Sequence, residues 1–220
     1  MSRLELLKKH KKHITDIILN STFKVTIIIF LINLSIQILA CAFPILPFLL
    51  AFNTGYPLPL LIITALTSAF AHAGWPHLMM NSFVFVPAMM FVESKLGSKT
   101  FLKAYLVTAL GASIVTLLSA NNIADPVSAI AIMLNGGVVV GLGSSGAGFG
   151  MVALAAFLFG KNPLEFSLGM LILGYLMIEE LLKINFFLDG IGHSAHAGGI
   201  LSAAVFYVYL TRFKSKTKNF

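Results

Sequence analysis

Six apolar runs, at about 25–43, 77–92, 101–119, 137–160, 164–182 and 193–211, each approach the length of a membrane span. A helix needs about 20 apolar residues to cross the hydrocarbon core, and in lipid a helix satisfies its own backbone polar groups. Runs of this length point to a bundle of membrane-crossing helices. Composition agrees: 58% of the 220 residues are hydrophobic, 10% are charged, and the mean hydropathy is +0.92. A soluble domain is nearer half apolar and a quarter charged. No separate soluble domain fits beside six spans.

Charge sets the orientation. The formal net charge is +7, with six of the fifteen Lys and Arg in residues 1–24 and four in 212–218. Basic residues gathered beside spans mark a cytoplasmic face that touches anionic lipid heads, which argues against a nucleic-acid partner. With six spans, the N-terminal segment, Lys95, Lys99, Lys103, Lys161 and the C-terminal segment share one face, and Lys183 alone lies outside. Counting the apolar stretch 58–71 as a seventh span would put the two basic ends on opposite faces. The expected fold is therefore an all-α membrane protein, a six-helix bundle with both termini cytoplasmic. Its parts are a basic segment at 1–24, a six-span domain at 25–211 and a basic tail at 212–220. The stretch 44–71 becomes an external loop, apolar but broken by Pro44, Pro47, Pro57 and Pro59, lying in or on the outer leaflet. The lone Cys41 reads as a small apolar filler.

Polar residues inside the spans mark the candidate site, because a polar group at such depth is costly without a partner. The fourth run carries Ser145 within Gly143-Ser144-Ser145-Gly146-Ala147-Gly148, and the sixth carries His196. The second carries His77 and Asn81, spaced i, i+4 and so on one helix face. These three runs point the same way, from outside to inside. Ser145 precedes Lys161 by sixteen residues and His196 precedes Arg212 by sixteen, which sets both about 24 Å from the inner face. Asn81 and His77 precede Lys95 by fourteen and eighteen, about 21 and 27 Å, and bracket that level. Four polar groups at one depth imply a single site toward the outer leaflet. Gly146 with Gly150, and Gly199 with Ala203, give small-residue faces on which two helix backbones can approach closely. A serine beside a histidine is the minimum equipment for nucleophilic hydrolysis.

In these motifs the chain resembles the rhomboid intramembrane serine proteases. The likeness lies in His72-x4-His77-x3-Asn81, Gly143-x-Ser145-Gly146 and Ala195-His196-x-x-Gly199, with Glu93-x-x-Leu96-Gly97 and Phe101 at the second cytoplasmic turn, and covers about residues 60–210. It implies that Ser145 is the nucleophile and His196 the general base, a dyad without a carboxylate. It also implies that His77 and Asn81 donate to the oxyanion together with the Ser145 backbone N–H. Phe149 matches a position where the family often stacks an aromatic ring on the catalytic histidine, and His72 one with a structural role. The implied substrates are single-span or other membrane proteins in the bilayer, with no cofactor, and the implied setting is a prokaryotic cell membrane. The first external loop lacks the Trp-Arg pair of many members: the corresponding region reads Leu60-Leu61-Ile62-Ile63-Thr64.

Other readings are weaker on the sequence. A proteolytically dead relative would bind substrates without cutting them, and the intact dyad argues against it. A metal site of His72, His77, His193 and His196 lacks any His-Glu-x-x-His signature, and His72 and His193 sit shallower than the other two. His193 is expected to be interfacial and wet. Glu93 is expected to anchor the inner end of its helix, and Glu179 and Glu180 to reach the external surface or cap the fifth span.

Overall fold

The computed structural model describes residues 21–119, 140–159, 171 and 192–214. Helix α1 spans Lys24–Ala42. A broken segment follows: α2 (Leu46–Leu50), strand β1 (Phe52–Asn53), α3 (Leu58–Thr67) and a 3-10 turn at Ser68–Phe70. Then come α4 (Trp75–Leu96), α5 (Ser98–Ser119), strand β2 (Val140–Gly141), α6 (Ser145–Leu158) and α7 (His193–Tyr209), the last running on into a wide turn at Leu210–Lys214. Among the described residues, α1, α4, α5 and α7 with the start of its wide turn are long and apolar enough to cross a membrane. The fifth apolar run, 164–182, apart from residue 171, and most of the expected terminal segments 1–24 and 212–220 (residues 1–20 and 215–220) lie outside the described residues.

Prolines place the breaks in the segment after α1. Pro47 and Pro59 stand in the first turns of α2 and α3, where the missing N–H costs nothing. The result is two short helices rather than a seventh span. Phe43, Ile45, Phe48, Leu49, Leu58, Ile62 and Ile63 on this segment are exposed, a pattern suited to lipid rather than water.

Helix α1 starts where another helix ends. Its first-turn N–H groups have no intrahelical acceptor. The buried carboxylate of Glu93 supplies one, accepting from Val25 N at 3.0 Å, Thr26 N at 2.8 Å and Thr26 Oγ1 at 2.8 Å. Ser98 Oγ donates to the same carboxylate at 2.7 Å. The expected anchor at Glu93 is thus a cap on a different helix. Gly97, at φ +73°, ends α4 beside it and returns its N–H to the Glu93 carbonyl.

Helix α6 is the hub. It has 14 residues, about 21 Å of helix, too short to cross the roughly 30 Å hydrocarbon core. It is buried along nearly all of its length, as a helix without a polar face must be. Gly146 lies against Ala112 of α5 and the Ala195 carbonyl of α7, and Gly148 lies on the Phe85 ring of α4. A Cβ on Gly199 of α7 would fall on the Gly146 carbonyl, so these two backbones touch directly. The expected fourth span of 137–160 is corrected here: its helix begins only at Ser145, because residues 140–144 take other conformations. Val140 and Gly141 pair with Asn53 and Phe52 in a two-residue antiparallel ladder, and Gly143 turns at φ +126°. Non-helical backbone of this kind is tolerated at membrane depth only when protein or water satisfies it.

Candidate active site

Ser145 is the first residue of α6, and His196 lies one turn into α7. The Gly146–Gly199 contact sets how closely those helices approach, and it brings His196 Nε2 to 3.0 Å from Ser145 Oγ. In the tautomer with Nε2 unprotonated, the serine hydroxyl donates to the ring. Phe149, one turn along α6 from Ser145, stacks on the imidazole at a centroid distance of 4.1 Å and 19° between planes. That contact fixes the ring plane while its edge faces the serine.

The N-terminus of α6 leaves its first backbone N–H groups uncapped, an end that favours negative charge. Its first intrahelical bond runs from Gly148 N to Ser144 O at 2.7 Å, and no side chain caps the end. Ser144, at the N-cap position, is turned away: its Oγ lies 3.2 Å from Nε2 of the buried His72. The backbone N–H groups of the first turn, that of Ser145 among them, therefore face the space beside Ser145 Oγ with the positive end of the helix dipole.

His77 and Asn81 meet the same loop. Ala73 N–H donates to His77 Nδ1 at 3.4 Å, which leaves the proton on Nε2 and makes that nitrogen a donor. A Cβ on Gly143 would stand 2.7 Å from His77 Cε1, 3.0 Å from its Nε2 and 3.6 Å from Asn81 Nδ2. Both donors thus converge on the backbone two residues before Ser145. Only glycine fits there, for want of space and because of its φ. Asn81 Nδ2 is buried and has no acceptor among the described residues.

The loop that carries Ser145 is held from outside the bundle. Gly143 N donates to the Ser68 carbonyl at 3.0 Å, His72 bonds Ser144, and β1 pairs with β2. The segment 44–71 is thus hydrogen-bonded to this loop at Phe52–Asn53 and at Ser68. In His72, burial and the neighbouring His77 hold the imidazole pKa down at about 4, against a smaller raising effect of the Phe70 backbone.

All four expected site residues, Ser145, His196, His77 and Asn81, thus border one loop. His193 departs from expectation: it is buried, edge-on to His196 at 6.0 Å. The four histidines do not gather on a common point. His72 turns to Ser144 and His196 to Ser145, and no group of three or more His, Cys, Asp or Glu among the described residues is placed to share a metal. Glu179 and Glu180 lie outside the described residues. Two features escaped the sequence reading. The Ser144–His72 bond carries no signal in composition. The polar residues Asn33 and Gln37 of the first span did carry one, being polar in an apolar run.

The Rhomboid domain family model matches residues 61–213, and the chain belongs to that family, a family of helical integral membrane proteins. A curated relative from Arabidopsis thaliana, "Rhomboid-like protein 11, chloroplastic", is 27% identical over 166 residues, covering 70% of this chain and 54% of its own length. The chain thus spans about half the length of that relative. No solved structure matches the chain.

Proposed function

We propose that the protein is an intramembrane serine endopeptidase that cuts transmembrane or membrane-proximal segments of membrane proteins with a Ser145–His196 dyad. The observation that carries this reading is the 3.0 Å approach of His196 Nε2 to Ser145 Oγ at the uncapped start of a buried helix. Ser145 Oγ attacks the scissile carbonyl carbon and its proton passes to His196 Nε2. The oxyanion takes hydrogen bonds from His77 Nε2, Asn81 Nδ2 and the Ser145 N–H. His196 then protonates the departing amine as the C–N bond breaks, leaving an ester on Ser145. Water, deprotonated by the same imidazole, attacks that ester; the acid product leaves and the Ser145 hydroxyl is restored.

In this proposal the bundle has six spans, with 25–211 as the catalytic domain and basic termini at 1–24 and 212–220 in the cytoplasm. The site then opens outward, where water reaches the acyl-enzyme. Substrate spans would have to unwind locally, because an intact helix engages its own carbonyls. The proposed setting is a prokaryotic cell membrane; the curated relative, named as chloroplastic, lends that setting no support. The test is cleavage of a model single-span substrate in liposomes. Wild type should cut and Ser145→Ala should not. Cleavage that survives the substitution refutes the dyad, and a wild type that binds the substrate without cutting it is a dead relative.

A further inference from the structure

Helix α1 turns Thr26, Asn33 and Gln37 inward, while Ser35 faces out and bonds the Leu31 carbonyl of its own helix. Its buried residues are Thr26, Ile29, Asn33 and Gln37, whereas Ile28, Leu31, Ile32, Ile38 and Leu39 are exposed. The apolar face suits lipid, and the Thr26 hydroxyl is satisfied by Glu93. Asn33 is 6% exposed, and its Oδ1 has no donor among the described residues. A buried amide oxygen left unpaired is destabilising, so its position asks for a partner.

That partner is supplied by a small cavity between α1, α4, α5 and the loop before α6. Asn33, Asn81, Ser82, Phe85, Tyr105 and Ser144 line it, with room for about one water molecule. Asn81 is 6% exposed, and its Nδ2 also has no partner among the described residues. One lining group lacks a donor and the other lacks an acceptor. Water fits that space, and it can donate to the first and accept from the second. Ser82 and Ser144 hydroxyls complete the two to four polar contacts that a buried water makes.

We propose that Asn33 is a positioning residue, holding a water that bridges to the Asn81 amide and fixes that amide as a donor. This deepens the reading of Asn81 as an oxyanion donor and rests on it. One Nδ2 hydrogen is held by the bridging water and the other is aimed past Gly143 toward Ser145. Without Asn33 the carboxamide can rotate, and a donor that must orient during the reaction stabilises the transition state less. The loss falls on kcat, because the oxyanion forms only after substrate is bound.

The experiment compares full-length wild type, Asn33→Leu, Asn33→Asp, Asn81→Ala and Asn33→Leu/Asn81→Ala in liposomes with one model transmembrane substrate. Asn33→Leu should lower kcat about tenfold with KM within twofold. Asn33→Asp, which keeps an acceptor oxygen, should recover most of that loss. In the Asn81→Ala background Asn33→Leu should change kcat by less than twofold. Where Leu overfills the space and prevents folding, Asn33→Val carries the same expectations. A kcat for Asn33→Leu within twofold of wild type, beside a much lower kcat for Asn81→Ala, overturns the positioning role alone. An equal fall with and without Asn81 overturns it as well. An Asn81→Ala variant as fast as wild type removes the oxyanion assignment beneath it.

Discussion

The Gly146 carbonyl occupies the place where a side chain on Gly199 would stand, so α6 and α7 touch backbone to backbone beside Ser145 and His196. The separation of the two helices, and with it the 3.0 Å dyad contact, depends on there being no Cβ at Gly199, with Gly146 and Gly150 close to α7 carbonyls as well. Gly199→Ala should therefore push the helices apart. Overpacking of this kind costs about 1–3 kcal/mol. The expected result is a lower melting temperature and, at temperatures where the variant is folded, cleavage at least tenfold slower than wild type. Thermal unfolding and initial rates in the same detergent check both.

Phe149 holds the His196 ring by stacking alone. Aromatic pairs of this kind contribute about 0.5–1.5 kcal/mol. Phe149→Leu should slow cleavage by roughly 2- to 10-fold, while Phe149→Tyr keeps the stack and most of the rate. Steady-state kinetics on the three proteins separate the cases.

Glu93 works at the other end of the bundle, sixteen residues and about 24 Å along α4 from His77. Glu93→Ala removes the acceptor for Val25 N, Thr26 N, the Thr26 hydroxyl and Ser98 Oγ. A loss of stability on the order of 3 kcal/mol is expected, with Glu93→Gln losing less because one carbonyl oxygen remains. Activity per folded molecule should change little. Denaturation curves beside active-site titration check this.

His72 makes stability depend on pH. Burial and His77 hold its folded pKa down at about 4, below the ordinary 6.5. The unfolded chain therefore binds the extra proton first, so this contribution is fully present above pH 6.5 and lost as pH falls toward 4. Over that window wild type should lose on the order of 2–3 kcal/mol through this residue. His72→Asn should be less stable at neutral pH but flatter across the window. Melting temperatures at intervals of half a pH unit give the two slopes.

Much of this was legible in the sequence because lipid makes polarity expensive. Ser145, His77, Asn81 and His196 stood out as polar residues at one computed depth, and they border one loop in the fold. The start of α6 was not legible from hydropathy, since residues 137–160 are apolar or small on both sides of it. Gly143, whose φ is positive, and the pairing of Val140 and Gly141 with a distant segment set it instead. His193 was expected to be wet because it lies near a helix end, but packing edge-on to His196 buries it. Glu93 looked like an anchor for its own helix, since a hydrogen bond across 67 residues to Thr26 has no local signature. Asn33 obeyed the rule that picked out Ser145. It lies in the first run, which carries none of the motifs.

The central claim is that Ser145 is a nucleophile activated by His196, and covalent capture tests it most directly. A fluorophosphonate probe should label the wild-type protein at Ser145, located by mass spectrometry of the adduct, and should label neither Ser145→Ala nor His196→Ala at an appreciable rate. Labelling of Ser145→Ala as fast as wild type, or a folded wild type that never labels, would contradict the account.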